Sequence, residues 1–254
     1  MELIQLIKFS PKRQVLFETV QRQQDCSINC GIRTICPTRW TVRTGAMQSI
    51  LNNYECLQET METASHGSDD CSRLASGIFA LMEKFKTYFG LKLSVFIFSI
   101  TENLSITLQG VDTNVNDCFT AVNATIEALN NYRTDDHFTK FFESVKSAAE
   151  DKCDPPVLPR RRCIPRRLND GTSQHQYTTV EDMYRKEYFE VIDAVKGELE
   201  RRFRQQNFLF AQTVEKLLLD SANGKPVAIT EKIQEMYNDD IDMQKTKTAP
   251  SNAS

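Results

Sequence analysis

The sequence predicts a mainly α-helical protein with a small β edge near its N-terminus. Apolar residues recur at helical spacing through most of the 254 residues. Most connections between these segments are short, as in antiparallel helix hairpins. Strand-like character is confined to residues 31–37, which are β-prone and end at a proline. The chain has only 9 glycines. Phosphate-binding loops and nucleotide-binding β–α–β units need closely spaced glycines, so this composition argues against a Rossmann or P-loop enzyme.

The predicted helices follow from start signals, stop signals and apolar periodicity. Ser10 and Pro11 predict the N-cap and first position of a helix that ends near Asp25. Thr38 can cap a second helix, which carries apolar residues at helical spacing from Ala46 to Leu57. Further helices are predicted over about residues 74–89, 91–108, 112–129, 135–145, 179–203, 208–219 and 230–237, with a break at glycine 90.

These elements predict five consecutive regions. Residues 1–40 form an N-terminal edge, 41–152 a helical domain, 153–177 a Pro- and Arg-rich linker, and 178–238 a helical continuation. The tail, 239–254, is polar and offers little to bury, so we expect it to be disordered. Phenylalanines recur at helical spacing in two stripes, which predict core faces rather than a partner-binding groove: Phe79, Phe85 and Phe89, then Phe138, Phe141 and Phe142.

Charge and hydropathy limit the classes of function and location. A net charge of −3 excludes a surface that attracts nucleic acid as a whole, so any such contact must be local. The N-terminus has no secretory leader of the usual form. The longest apolar stretch, residues 91–100, is about half of a bilayer-spanning helix. We therefore expect a protein that is not secreted, has no membrane partner and shows no evident small-molecule substrate.

Three of the eight cysteines cluster near the N-terminus, at Cys26, Cys30 and Cys36. Thiolates at short spacing can share a tetrahedral zinc ion. Their spacing lacks the usual two-residue knuckle, and the nearest histidine, His66, is far along the chain. Reduced, partly buried thiols are the expected state, with zinc as the alternative.

Adjacent acidic residues offer a second possible metal or acid–base site. Neighbouring acids at a helix start point apart and usually cap the helix, so we expect caps. The pairs are Asp69 with Asp70, Asp135 with Asp136, and Asp239 with Asp240.

The linker holds five arginines within eight residues, and prolines on both sides favour an exposed, extended segment. Guanidinium groups in such a block suit bidentate contact with phosphates or recognition by a nuclear import receptor. Solvated side chains without a ligand are the alternative. The residues are Arg160, Arg161, Arg162, Arg166 and Arg167.

One pentapeptide, Cys36-Pro37-Thr38-Arg39-Trp40, resembles a junction found in hAT-family DNA transposases and in the MYM-type zinc-finger proteins derived from them. Three other stretches agree in order and spacing, so the resemblance covers roughly residues 8 to 210. They are Ser10-Pro11-Lys12-Arg13, the arginine block, and the helix from Tyr184 to Phe203.

The resemblance implies an internal transposase-derived fragment, in which an incomplete RNase H-like core supplies the β edge and a helical insertion supplies the rest. Complete hAT transposases hold Mg²⁺ or Mn²⁺ with three acidic residues. The family's first two acids lie upstream of the junction, and its Ser-Glu-Arg-x-Phe-Ser segment does not occur here. We therefore expect no catalytic residues and no metal or other cofactor in this chain.

Trp40 resembles a family tryptophan that helps to hold an unpaired or flipped base, and Arg39 beside it would meet a phosphate. Stacking of a base on an indole contributes about 1–3 kcal/mol. The alternative is that Trp40 packs the first insertion helix onto the sheet edge, while Arg39 caps or pairs locally.

The predicted function is that of an inactive, transposase-derived fragment in the nucleus, with DNA or other protein chains as partners. Two alternatives stay open. The chain is a helical protein-interaction module, nuclear or cytoplasmic, without a nucleic-acid role; or it is part of an active metal-dependent transposase whose remaining residues are encoded elsewhere.

Overall fold

The computed structural model describes residues 2–24, 31–33, 43–111, 113–159, 177–204, 206–225 and 233. In these residues the regular elements are α-helices, and no strand is present. The mainly α prediction is therefore confirmed. The helices are α1 (Glu2–Lys8), α2 (Pro11–Gln23), α3 (Arg43–Asn52), α4 (Tyr54–Ser65), α5 (Asp70–Met82), α6 (Phe85–Gln109), α7 (Val115–Tyr132), α8 (Asp135–Ala149), α9 (Val180–Phe203) and α10 (Gln206–Ala222).

The expected β edge does not appear in the part of residues 31–37 that is described. Residues 31–33 are irregular. Ile32 is buried in the helical core, and the Arg33 backbone N–H donates to Ser49 Oγ at 3.1 Å instead of to a neighbouring strand. Ser49 Oγ thus bonds the Arg33 N–H, and an RNase H-like edge is not shown.

Two predicted helix boundaries hold and one is wrong. α2 begins at Pro11 after Ser10, and Thr179 caps α9 by accepting from the Asp182 N–H at 3.0 Å. Gly90, however, does not break a helix, because α6 runs through it. Gly90 is exposed, and a lone glycine in a helix costs only about 1 kcal/mol. The break falls at Lys84, which is extended with ψ 128°.

The predicted second helix is divided at Asn53 into α3 and α4. The Asn53 side chain is buried, donates to the Ser49 carbonyl at 2.7 Å and accepts from Gln21 Nε2 at 2.6 Å. This polar contact joins α2 to the α3–α4 junction. A buried amide with both ends bonded fixes a specific packing arrangement.

The centre of the core is aromatic, as the phenylalanine stripes predict. Phe85 and Phe89 on α6 meet Phe142 on α8 and Tyr184 on α9, with ring centroids between 4.6 and 6.3 Å apart. Tyr188 continues the contact, with its ring tilted against that of Phe138 at a centroid distance of 5.6 Å. Such pairs add about 0.5–1.5 kcal/mol each beyond the burial of their area.

One hydrophobic cluster extends from α1 to α9. It includes Ile4 and Ile7 of α1, Phe17 of α2, and Ile192 near the middle of α9. The N-terminal helices and the helix after the linker therefore share one core with α4 to α8. The boundaries proposed between residues 1–40, 41–152 and 178–238 stay predictions.

A second, smaller contact holds α10 against α7. Phe208 meets Phe119 at 5.1 Å and Phe203 at 5.1 Å. The Glu215 carboxylate accepts from the backbone N–H groups of Val115 and Asn116, at 2.9 Å each. A carboxylate at a helix N-terminus is stabilised by the free N–H groups and by the helix dipole.

Helix α6 is long and apolar enough to cross a bilayer by length and composition, and it is the one described helix that passes this test. It packs against α3, α5, α7 and α8. One such helix is weak evidence about a membrane, and 17% of its apolar window is buried inside the bundle. The expectation of no membrane partner stays a prediction.

Two arginine–aspartate pairs fasten α9 to the α7–α8 turn. Arg133 makes two bonds to Asp193, at 2.5 and 2.7 Å, and Arg185 bonds to Asp135 at 2.5 Å. Both guanidinium groups also lie about 5 Å from the Phe189 ring. Hydrogen bonds from these arginines lower the pKa of both carboxyl groups below the ordinary 3.8.

Removal of one central ring should destabilise the whole cluster. Phe89 is 1% exposed, whereas Phe9 is 82% exposed. We expect Phe89→Ala to lower the free energy of unfolding by about 3–5 kcal/mol and Phe9→Ala to change it by less than about 0.5 kcal/mol. Urea unfolding followed by circular dichroism measures both, and equal effects would contradict the assigned core.

The two ion pairs should make stability depend on pH in acid. A carboxyl group whose pKa is lower in the folded state stabilises the fold above its unfolded pKa, and this stability is lost as the pH falls through the folded pKa. We therefore expect the urea concentration at the midpoint of unfolding to decrease once the pH is lowered below about 4. The double variant Asp135→Asn/Asp193→Asn should unfold at a lower urea concentration at pH 7, and its urea midpoint should decrease less in acid than that of the wild type. If the urea midpoint of the variant depends on pH as that of the wild type does, the two pairs do not stabilise the fold.

Candidate functional site

The seven residues predicted to contact DNA lie outside the described residues. They are Arg39, Trp40, Arg160, Arg161, Arg162, Arg166 and Arg167. The described residues nearest to Arg39 and Trp40 on the N-terminal side are Ile32, which is buried in the core, and Arg33, whose backbone N–H donates to Ser49 of α3. Helix α3 packs on α6.

The described residues at the start of the linker are bonded to α4 and to the C-terminal end of α5. The Asp154 N–H donates to the Glu83 carbonyl at 2.7 Å, and Gln58 Nε2 donates to the Lys152 carbonyl at 2.7 Å. The Lys152 ammonium also pairs with Glu55. The backbone just before the arginine block is thus held on α4 and at the C-terminal end of α5, where helix carbonyls lack partners within the helix.

The linker returns at the first turns of α9. Tyr177 packs against the core, and Lys186 Nζ lies 5.6 Å from the centre of its ring. Pro159, the last described residue before the arginine block, shares a cleft with Met183 and Tyr184 of α9. Both ends of the linker therefore meet at one end of the helix bundle.

Two clefts lie on either side of Pro155. The first, which we call the α8 cleft, has a volume of about 350 Å³ and lies between α8 and the segment 153–156. Its apolar floor contains Phe85 and Ala149, and the carboxylates of Glu143 and Glu150 line it.

The second, the α9 cleft, has a volume of about 370 Å³ and is lined by Met183, Tyr184 and Val157 together with Lys84 and Lys86. Phe85, Asp154 and Pro155 line both clefts, so the two clefts are adjacent.

The two clefts together are lined by as many described acidic as basic side chains, because Lys84 and Lys86 of the α9 cleft offset the acids of the α8 cleft. Glu143, Glu150 and Asp154 line the α8 cleft with one lysine, Lys146, which lies 3.8 Å from Glu143. Burial, with the nearby Asp154 carboxylate, raises the pKa of the Cys153 thiol to about 11, so this thiol is neutral at physiological pH. This part of the bundle does not add to the positive charge of the arginine block.

Of the acidic pairs that are described, Asp69 caps α5 as expected, whereas the N-cap of α8 is Thr134 and not an aspartate. Asp69 accepts from the Ser72 N–H at 2.9 Å, and hydrogen bonds from Ser72 lower the pKa of its carboxyl group. Asp135 and Asp136 lie in the first turn of α8 and pair with Arg185 and Lys140. Asp239 and Asp240 lie outside the described residues, as do Cys26, Cys30 and Cys36.

Within the described ranges no group of three or more His, Cys, Asp or Glu side chains could hold a metal ion. The reduced cysteines of these ranges are Cys56, Cys71, Cys118 and Cys153. Comparison with protein-family models, with curated proteins and with solved structures found no match. The resemblance to hAT transposases thus rests on the sequence itself.

No pattern in the sequence indicates the two clefts. Pro155 and Pro156 indicated an extended segment, but the partners of that segment, on α5, α8 and α9, are distant in sequence. A regular alternation of apolar and charged residues would have been a usable signal, and residues 153–159 have none.

The contact of Gln58 with the start of the linker can be tested by amide exchange. We expect Gln58→Ala to speed exchange of the Asp154 amide by about fivefold to tenfold, since the lost hydrogen bond contributes about 1 kcal/mol. Gln48→Ala, which removes a bond to Asn52 within α3, is the control and should leave Asp154 unchanged. NMR-detected exchange measures both, and equal rates in all three proteins would contradict the anchor.

Proposed function

We propose that this chain is a transposase-derived helical module that acts without catalysis and contacts the phosphate backbone of nucleic acid through the arginine block. The block comprises Arg160, Arg161, Arg162, Arg166 and Arg167. The observation that carries the proposal is the attachment of its linker: residues 152–154 are bonded to α4 and the end of α5, and Tyr177 packs on α9. A basic segment held at both ends loses less conformational entropy on binding than a free tail.

The charge distribution supports local rather than general contact with nucleic acid. The net charge is −3, and the clefts beside Pro155 are lined by acidic and basic side chains in equal number among the described residues. Affinity should therefore come from a small number of guanidinium–phosphate contacts and should show no base specificity of its own. A nuclear location would fit such a role.

Arg39 and Trp40 form the finer part of the proposal. By resemblance, Trp40 would stack on an unpaired base and Arg39 would pair with a phosphate beside it. The anchored residues Ile32 and Arg33 support this assignment, since they restrict where the following segment starts. Stacking on one indole is worth about 1–3 kcal/mol, so the preference for single-stranded ends would be modest.

A protein-interaction module without a nucleic-acid role is the second candidate. The observation that favours it is the pair of clefts beside the linker, whose apolar floor and charged edges suit a polypeptide ligand. The two candidates differ in what they require: the first needs the arginines, and the second needs the clefts.

The arginine block can be tested by replacing its five arginines with glutamine and measuring binding to a labelled 20-base-pair duplex. We expect the variant to bind at least about tenfold more weakly in 50 mM salt. The slope of log affinity against log salt should change from roughly −4 towards zero, since each phosphate contact contributes about −0.9.

The control replaces five basic residues on helix surfaces and therefore removes the same charge. Each pairs with an acidic residue three or four positions away: Arg73, Lys140, Arg201, Arg202 and Arg204. This control should retain most of the affinity. Equal loss in both variants, or binding that is indifferent to salt, would refute the assignment to the block.

A further inference from the structure

We propose that Ser10, at the corner between α1 and α2, is a phosphorylation site for a proline-directed protein kinase. The acceptor pattern is Ser10-Pro11-Lys12-Arg13, a segment that the proposed contact with nucleic acid does not use. Among the eight prolines of the chain, Pro11 alone follows a serine or threonine. The inference concerns a covalent modification away from the arginine block, so it goes beyond the proposed function.

Two residues of this pattern have the chemistry by which such kinases recognise a substrate. Proline has no N–H, so it fits a substrate groove that offers no acceptor to the residue after the serine. An arginine three positions after the serine can pair with carboxylates of the kinase, because its guanidinium makes two parallel hydrogen bonds to such a group. Pro11 and Arg13 occupy these two positions.

The fold presents Ser10 at a surface corner in an extended conformation. Ser10 is partly exposed, its φ is −133° and its ψ is 112°, and its hydroxyl does not cap α2. The residue before it, Phe9, is 82% exposed, and Pro11 and Lys12 are also exposed. An enzyme that binds its substrate as an extended peptide therefore finds the acceptor residue already extended.

Binding to a kinase also requires the first turn of α2 to open. The Gln14 N–H donates to the Ser10 carbonyl at 2.9 Å. Arg13 Nε donates to the Leu6 carbonyl at 2.6 Å. None of residues 8–14 is buried. A helix end with few buried contacts opens at low cost, so this segment can leave the bundle while the core stays closed.

The reaction transfers one phosphoryl group to the serine. Ser10 Oγ attacks the γ-phosphorus of a nucleoside triphosphate, the bond from that phosphorus to the β–γ bridging oxygen breaks, and a nucleoside diphosphate leaves. The hydroxyl proton passes to the carboxylate base of the kinase. The phosphoserine carries a charge of about −1.5 to −2 at neutral pH. Three cations adjoin it in the sequence, namely Lys8, Lys12 and Arg13.

The phosphate should fasten the corner between α1 and α2. An N-cap side chain lies close to that of the residue three positions on, which here is Arg13. Because Arg13 is bonded to α1 through Nε, a phosphate on its guanidinium would join the start of α2 to α1. The charge of Arg13 also contributes, after the hydrogen bonds from Ser72, to the lowered pKa of the Asp69 carboxyl group. Since Asp69 shares this cation, we expect a small gain in stability.

The test incubates the full chain, and a peptide of residues 4–16, with a cyclin-dependent kinase, its cyclin and ATP, and maps the product by tandem mass spectrometry. We expect one phosphate, on Ser10, and none in Ser10→Ala. Pro11→Ala and Arg13→Gln should each lower kcat/KM about tenfold or more, since each removes one recognised feature. Arg22→Gln is the matched control on an exposed position of the same helix, and it should change kcat/KM less than about twofold.

The melting temperature gives a second readout. The phosphorylated chain should melt about 2 °C above the unmodified chain, as expected for one added charge-assisted contact in a chain of this size. Ser10→Ala treated in the same way should not shift. The proposal is overturned if the kinase modifies the peptide but not the folded chain, if it modifies neither, or if the phosphate lies on another residue. A lower melting temperature after phosphorylation would contradict the contact with Arg13.

Discussion

The aromatic contact of α9 with α6 and α8 is the interaction on which the rest of the structure depends. Tyr184 and Tyr188 of α9 pack against Phe85 and Phe89 of α6 and Phe138 of α8, which lie much earlier in the sequence. Because α9 docks at this position, Met183 and Tyr184 meet the linker residues Val157 and Pro159 and form the α9 cleft with them.

The buried tyrosines also show how this core satisfies its polar atoms. The Tyr188 hydroxyl donates to the Tyr132 carbonyl at 3.1 Å, and the Tyr54 hydroxyl donates to the Met82 carbonyl at 2.7 Å. Desolvation raises the pKa of Tyr188 to about 12 and also raises that of Tyr54, so both remain neutral donors. Each hydroxyl bonds a carbonyl at the end of a helix, where an acceptor would otherwise lack a partner.

Positive charge is distributed differently along the sequence and over the described surface. The sequence concentrates arginine in residues 160–167. The described lining of the two clefts has equal numbers of acidic and basic side chains, namely Glu143, Glu150 and Asp154 with Lys84, Lys86 and Lys146. The described surface around Pro155 therefore adds little net charge of its own.

The sequence by itself determined the helical class, most helix starts and the identity of the core stripes. Ser10, Thr179 and the phenylalanines at helical spacing act locally, so their effect is readable from neighbours along the chain. Only the tertiary structure decided that Ile32 enters a helical core and that Gly90 continues a helix. It also decided that Glu143 and Pro155 border one cleft. Those outcomes depend on contacts between residues far apart in sequence, which no local pattern encodes.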